Sequence, residues 1–294
     1  MITEFRPSKF QILPTVIKNL LIINVLVFLA QITFDGVIPN SDLTVRTGKI
    51  MDLFALHHVM SPLFRPWQLL THMFMHGSFL HIFSNMFALW MFGSILENLW
   101  GTRRFLIFYL VCGVGAALIH LGFLWIENHQ LLADFTHFKD SSTVANYFDF
   151  YKKYRLSALD IQNENGFSQQ AFQLLKAWTD DPYNSFYISK GVEIVSEYTN
   201  YSLSEPTLGA SGAVFGCLVA FGYLFPNTYV YFYFFIPLKA KWFVLLYIAF
   251  ELSMAVRFTA GSGDGVAHWA HLGGAVVGFL LVFLWNKTKR RRFY

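Results

Sequence analysis

The sequence predicts an all-α polytopic membrane protein with six transmembrane helices and a large extracytoplasmic insert between the third and fourth helices. Of its 294 residues, 55% are hydrophobic and only 14% are charged, which is far from the averages of soluble globular domains. Apolar runs of transmembrane length also recur along the chain. Cys112 and Cys217 each lie inside such a run, so neither a disulfide framework nor a thiolate metal site is expected.

Six apolar stretches approach the length of about 20 helical residues that crosses a hydrocarbon core of about 30 Å. They cover approximately residues 16–34, 78–98, 105–125, 209–225, 241–256 and 266–286. No small-residue cleavage site follows the first stretch, so we expect an uncleaved first span and not a signal peptide. The aromatic run at 229–237 is too short to span and contains a terminal proline, which predicts an interfacial loop or short hairpin.

The distribution of Lys and Arg predicts that both termini are cytoplasmic, because cytoplasmic loops retain basic residues. With the amino terminus inside, only Glu4 and Glu97 oppose the basic residues of the inner segments. These are Arg6, Lys9, Lys18, Arg103, Arg104, Lys239, Lys241, Lys287, Lys289, Arg290, Arg291 and Arg292. The short termini favour a bacterial inner membrane.

The expected organisation is one membrane domain in two pieces. Residues 1–126 supply helices 1 to 3 with the first outer loop, 209–294 supply helices 4 to 6, and 127–208 form the insert. A structureless segment of that length is unusual, so the insert is expected to be partly folded or functional. Apolar residues recur at helical spacing over 167–178, and Asp180-Asp181-Pro182 should end that helix. Whether the insert binds a partner or only fills space stays open.

A serine lies among small residues where the fourth span begins, in Gly209-Ala210-Ser211-Gly212. Small residues four apart, here Gly212 and Gly216, are typical of transmembrane helices that pack backbone to backbone. A structural role and a catalytic role for this segment are therefore alternatives.

Polar side chains in spans are functional candidates because they are costly to insert. His81 and Asn85 share one face of the second span, and His271 lies near the start of the sixth. Spans two, four and six all run inward, which places Ser211, His81 and His271 at a similar depth. Glu251 in the fifth span either relays protons or, as we favour, pairs with a neighbouring helix or lies close to an interface.

This set of residues suits nucleophilic catalysis. A serine hydroxyl needs a base to take its proton, and a neutral histidine is the usual base. His81, the Asn85 amide and the Ser211 backbone N–H are suitable donors to an oxyanion. Asp264 precedes the sixth span in a short loop, so we infer a Ser–His dyad and not a triad. His268 is the competing base.

These residues resemble the rhomboid intramembrane serine proteases, over the six-span core but not the insert. The resemblance rests on Gly209-Ala210-Ser211-Gly212, on Ala270-His271-Leu272-Gly273-Gly274 with Gly278, and on His72, His76, His81 and Asn85. It implies a rhomboid-like bundle in which Ser211 is the nucleophile and His271 the general base. His81 and Asn85 would stabilise the oxyanion. The supporting positions are Gly209, Gly212, Phe215, Gly274 and Gly278.

Two positions depart from the family pattern. Phe215 falls where many members place a tyrosine that packs on the histidine, and a phenyl ring can still stack there. Trp67-Gln68 stands where several members have Trp-Arg, which affects the expected lipid contacts of the first outer loop.

The resemblance implies a serine endopeptidase that cuts single-span membrane proteins near the outer membrane face, where the substrate helix can unwind. The expected partners are transmembrane protein substrates and the lipid bilayer, with no nucleic acid, cofactor or metal, and the oligomeric state stays open. His72, His76 and His81 lack the His-Glu-x-x-His pattern of zinc metalloproteases. The alternatives are an inactive rhomboid-like protein that binds membrane proteins or acts in quality control, and a small-solute transporter.

Overall fold

The computed structural model describes residues 10–35, 48–156, 166–232, 236–257 and 266–290. The chain forms two compact units, the first from 1–59, 63–124 and 206–294, the second from 60–62 and 125–205. Six residues used in the predictions lie outside the described residues. They are Glu4, Arg6, Lys9, Asp264, Arg291 and Arg292.

The first unit contains helices that overlap each of the six predicted apolar stretches, together with two short helices that lie outside them. Its helices are α1 (Thr15–Asp35), α2 (Lys49–Phe54), α3 (Gln68–Thr71), α4 (Phe79–Ala88), α5 (Ser94–Trp100), α6 (Thr102–Asp140), α10 (Ser211–Leu224), α11 (Ala240–Arg257) and α12 (His268–Arg290). A 3₁₀ turn at His72–Phe74 follows α3, and one π-helical turn at Leu89–Gly93 joins α4 to α5. Helix α6 continues beyond the predicted 105–125 into the second unit.

Four helices among the described residues are long and apolar enough to cross a membrane. They are Thr15–Asp35, Phe79–Trp100, Thr102–Asp140 and His268–Lys287. Helix α10 is apolar but has only 14 residues, and α11 has 18 residues that include Lys241 and Glu251.

A short hairpin connects α10 to α11, as predicted for the aromatic run. Strands β1 (Tyr229–Phe232) and β2 (Ile236–Lys239) pair antiparallel, with Tyr229 opposite Lys239. Pro237 lies opposite Tyr231 in this two-stranded sheet, where both strands are edges and a missing N–H is tolerated.

The start of α1 is held by a buried carboxylate. Glu97 on α5 is 3% exposed, and its two oxygens accept hydrogen bonds from the backbone N–H groups of Val16 (2.9 Å) and Ile17 (3.0 Å). The first N–H groups of a helix have no partner within it, so this carboxylate supplies acceptors that the apolar surroundings lack. The contact ties α1 to α5.

Buried Gln68 organises the first outer loop. Its amide nitrogen donates to the carbonyls of Leu63 (2.9 Å) and Asp52 (3.1 Å), and its amide oxygen accepts from the Arg65 N–H (3.0 Å). Gln68 is 0% exposed, so the residue that departs from the family's arginine binds the loop's own backbone.

Helices α10 and α12 approach each other backbone to backbone. A Cβ atom on Gly278 would lie 2.6 Å from the Cα atom of Gly216, and one on Gly274 would overlap the carbonyl oxygen of Gly212. Such contacts are possible only where neither residue has a side chain. The small-residue pattern of the fourth span therefore does serve helix contact.

The second unit has an aromatic core of its own. Besides the end of α6 it contains α7 (Val144–Lys153), α8 (Phe167–Asp180) and α9 (Ser185–Leu203). Trp178 and Tyr147 are both 0% exposed, and their rings lie 5.5 Å apart. The helix predicted over 167–178 is confirmed, and it ends where Asp180-Asp181-Pro182 begins.

Replacing Gly274 by alanine is expected to destabilise the first unit, because the new Cβ would displace the Gly212 carbonyl. Overpacking of this kind typically costs about 1–3 kcal/mol. Thermal unfolding in detergent measures the effect. Gly122→Ala is the matched control, since a Cβ at this helical glycine of α6 meets nothing within 4 Å. Equal melting temperatures for the two variants would contradict the importance of this contact.

Candidate functional site

The hydroxyl of Ser211 lies against the ring of His271. Ser211 is the first residue of α10 and His271 lies in the first turn of α12. The distance from Ser211 Oγ to His271 Nε2 is 2.8 Å, a hydrogen-bond length for this pair. The two residues are 60 positions apart in the sequence. Their contact follows from the glycine-lined approach of α10 and α12.

Phe215 stacks on the imidazole of His271. The ring centroids are 4.5 Å apart and the planes are within 10° of parallel, so the predicted stacking is confirmed. Phe215 lies one turn after Ser211 on α10 and is 4% exposed. One helix therefore supplies both the hydroxyl at the edge of the imidazole and the apolar surface against its face.

Gly209 keeps a space open between Ser211 and His81. Its φ is +121°, a conformation that side-chain-bearing residues rarely adopt. A Cβ at this position would lie 2.7 Å from His81 Nε2 and 3.5 Å from Ser211 Oγ. His81 Nε2 and the serine hydroxyl therefore face the same small region.

The hydrogen bond at His81 Nδ1 shows which nitrogen of the neutral ring carries the proton. The backbone N–H of Gly77 donates to His81 Nδ1 at 3.4 Å, so Nδ1 acts as an acceptor. In a neutral imidazole the opposite nitrogen then carries the hydrogen. His81 therefore presents an Nε2–H donor to the region beside Ser211 Oγ.

Asn85 carries a buried donor one turn further along α4. The side chain is 6% exposed, and its Nδ2 has no hydrogen-bond partner among the described residues. Leaving a buried donor unpaired costs about 1–3 kcal/mol. An acceptor with developing negative charge beside this amide would remove that cost.

Glu251 joins the site from α11, a contact that the sequence analysis did not specify. Its Oε2 atom lies 3.0 Å from His271 Nδ1 and 2.6 Å from His268 Nδ1, and Glu251 is 3% exposed. The interpretation of Glu251 as a residue paired with a neighbouring helix is therefore confirmed. His268, the competing base, is placed against Glu251. The sequence did show a carboxylate in an apolar span, which indicates a polar partner. It does not show how α11 is rotated about its axis, and that rotation determines which residues Glu251 contacts.

The histidines of the first outer loop have structural contacts. The Nδ1 atom of His72 lies 2.9 Å from the Gln68 carbonyl, and the His72 carbonyl accepts from the Gly209 N–H at 2.9 Å. The backbone of His76 exchanges hydrogen bonds with the Gln31 amide at 3.0 and 3.2 Å. Burial lowers the pKa of His72 to about 4 and that of His76 to about 3, so both rings are neutral at pH 7.

One group of side chains in the described part of the chain has the spacing of metal ligands. Glu251, His268 and His271 bring one ligand atom each to within 4.8 Å of one another. The three side chains are also joined by two hydrogen bonds, between Glu251 Oε2 and the Nδ1 atoms of His268 and His271.

The similarity of the chain to known proteins covers the residues of this site. The family model described as the Rhomboid domain matches residues 64–129 and 183–288, more than half of the chain. The chain belongs to the rhomboid family. The rhomboid match contains Ser211, His271, His81, Asn85 and Glu251, and it leaves residues 130–182 between its two segments. With four helices that can cross a membrane, this rhomboid is an integral membrane protein.

Two curated relatives of this rhomboid are similar over shorter segments. The chain is 36% identical over 52 residues to Rhomboid protease GluP of Bacillus subtilis (strain 168), which covers 18% of this chain and 10% of the relative. It is 29% identical over 91 residues to RHOMBOID-like protein 5 of Arabidopsis thaliana, which covers 31% and 29%. The matches thus span less than a third of either relative.

Replacing Gly209 by alanine should abolish the reactivity of Ser211, because the Cβ would occupy the region between His81 Nε2 and Ser211 Oγ. Labelling of Ser211 by a fluorophosphonate probe measures this. Gly166→Ala is the control, since Gly166 also has a positive φ (+59°) but its Cβ would meet only Gln169 at 3.5 Å. Both variants place a side chain at a positive φ, which costs about 1–2 kcal/mol at Gly166 and no less at Gly209, whose φ lies outside the left-handed helical region. Undiminished labelling of Gly209→Ala would show that Ser211 does not need the open region between His81 Nε2 and Ser211 Oγ.

Proposed function

We propose that this rhomboid is an intramembrane serine endopeptidase in which Ser211 attacks the substrate carbonyl and His271 acts as general base. The observation that carries the proposal is the 2.8 Å hydrogen bond between Ser211 Oγ and His271 Nε2. A hydroxyl in contact with a neutral imidazole is the arrangement that activates serine for acyl transfer. The family match over more than half of the chain also supports it.

The proposed reaction follows ordinary acyl transfer. Ser211 Oγ forms a bond to the carbonyl carbon while its proton passes to His271 Nε2, and the carbonyl oxygen becomes an oxyanion. Collapse of the tetrahedral intermediate breaks the C–N bond, and the imidazolium gives its proton to the leaving amine. Water then attacks the acyl-enzyme by the same proton route, which releases the acid and restores Ser211.

We propose that three donors on α4 and α10 bind the oxyanion. They are His81 Nε2–H, Asn85 Nδ2 and the Ser211 backbone N–H at the positive end of α10. Each is a preorganised dipole in surroundings of low dielectric constant, where such donors stabilise charge most strongly.

We further propose that α1, the α4–α5 segment, α6, α10, α11 and α12 form six spans with both termini in the cytoplasm. Ser211, His81 and His271 each lie within four residues of the amino-terminal end of α10, α4 and α12. If these three helices run inward, the site opens to the extracytoplasmic side. In keeping with the family, the proposed substrates are single-span membrane proteins that are cut near the outer face, and the proposed location is a bacterial inner membrane.

Ser211→Ala and His271→Ala should each abolish cleavage of a reporter whose single span carries a small residue near its outer end. The first variant removes the nucleophile and the second removes the base. Cleavage is measured by gel in proteoliposomes, beside the thermal stability of each variant. An inactive binding protein predicts instead that wild type and Ser211→Ala leave the reporter equally intact. Persistent cleavage by Ser211→Ala would overturn the nucleophile assignment.

Asn85→Leu should lower kcat by about 100- to 1000-fold, the usual effect of losing one oxyanion donor. Its thermal stability should be unchanged or higher, because the substitution removes a buried donor that lacks a partner. Asn24→Leu is the matched control. Asn24 is also buried in a spanning helix, but its Nδ2 donates to the Leu20 carbonyl at 2.8 Å. If Asn24→Leu lost activity while Asn85→Leu kept it, Asn85 would not be an oxyanion donor.

A further inference from the structure

One oxygen atom of Glu251 takes part in hydrogen bonds with two histidines. Oε2 lies 2.6 Å from His268 Nδ1 and 3.0 Å from His271 Nδ1. The carboxylate is 3% exposed and lies on α11, whereas both histidines lie on α12. A single buried oxygen therefore links the fifth helix of the proposed bundle to the ring that contacts Ser211.

The hydrogen bonds of His271 assign its tautomer. An ionised carboxylate only accepts hydrogen bonds, so His271 Nδ1 must carry a proton to make the 3.0 Å contact. In the neutral ring Nε2 is then the lone-pair nitrogen, and Nε2 is the atom 2.8 Å from Ser211 Oγ. Glu251 thus selects the tautomer in which His271 can accept the serine proton.

The same contact acts on the charged ring that forms during the reaction. When the Ser211 proton reaches Nε2, the imidazolium holds a proton on each nitrogen. The negative charge of Glu251 lies beside the Nδ1–H side and stabilises this cation, without itself taking the proton. In surroundings of low dielectric constant such a contact is stronger than in water.

His268 orients the carboxylate. It is 5% exposed and begins α12, one turn before His271, and its shorter contact fixes Oε2 between the two rings. A carboxylate in a membrane span is costly unless polar partners surround it. A purely structural tie between α11 and α12 would need His268 alone, whereas the second contact engages the ring that faces the serine.

We propose that Glu251 is a positioning residue that extends Ser211 and His271 to a Ser–His–Glu triad, with His268 holding the carboxylate in place. This inference rests on the proposed function, because it assigns a role in the same proton transfer. It replaces the expected dyad by a triad whose acidic member comes from α11.

The test compares Glu251→Gln, Glu251→Asp and Ser211→Ala on the single-span reporter, with kcat, KM and melting temperature measured for each. Glu251→Gln should lower kcat by on the order of 100- to 10,000-fold, as loss of the orienting carboxylate does in other serine hydrolases. KM should change by less than about threefold, since Glu251 is not proposed to touch the substrate. Glu251→Asp keeps the charge and should recover roughly tenfold or more of the lost kcat.

Glu97→Gln is the matched control, a second buried glutamate whose contacts are with the backbone of α1. It should lower the melting temperature while leaving kcat within about threefold of wild type. A wild-type kcat in Glu251→Gln, beside an inactive Ser211→Ala, would overturn this inference and leave the proposed function standing. Cleavage by Ser211→Ala would overturn the proposed function itself.

A measurement on the wild-type protein covers the case in which the Glu251 variants fail to fold. The ¹⁵N spectrum of histidine-labelled protein in detergent micelles reports the tautomer of each ring, and His271→Asn identifies the His271 signals. A proton on Nδ1 with Nε2 unprotonated supports the Ser–His–Glu triad. The opposite tautomer would overturn it.

Discussion

The site depends on how closely two helix backbones approach. Serine and histidine side chains are short, so a 2.8 Å contact between residues on different helices requires the two helix backbones to approach closely at that level. The overlap of a Cβ on Gly274 with the Gly212 carbonyl shows that α10 and α12 have reached this limit. In a membrane, apolar burial does not drive helices together, so close van der Waals contact between small residues must do so. The glycines that allow α10 and α12 to pack closely therefore also bring Ser211 against His271.

Much of this arrangement could be predicted from the sequence, because hydrophobic length and small-residue spacing are local patterns. The helices, the hairpin after α10 and the stacking of Phe215 on His271 follow from such patterns. The partner of Glu251 could not be predicted in the same way. Helix α11 is apolar on nearly every side, so its sequence does not fix which side faces α12, and only the tertiary contact does. The extension of α6 beyond its apolar part was missed because length was judged from hydrophobicity alone.

The residues between the two rhomboid matches belong to a unit that buries its own aromatic side chains. Tyr147, Trp178 and Phe138 are each at most 1% exposed within the second unit. An amphipathic helix such as α8 needs a surface on which to bury its apolar face, and here α7 and α9 supply it. The self-contained core explains why an apolar periodicity was visible over 167–178 in an otherwise polar segment.

Two buried polar side chains, Glu251 and Asn85, differ in whether they have hydrogen-bond partners, and we attribute this difference to their charge. Glu251 carries a full charge, which an apolar interior accepts only with partners, and two histidines supply them. Asn85 is neutral, so leaving its Nδ2 unpaired costs little enough to be tolerated. A donor that already has an acceptor gains nothing when an oxyanion forms, whereas an unpaired donor gains a whole hydrogen bond. Under the proposed function, the free energy given up in the resting protein at Asn85 is the part that would become available to the transition state.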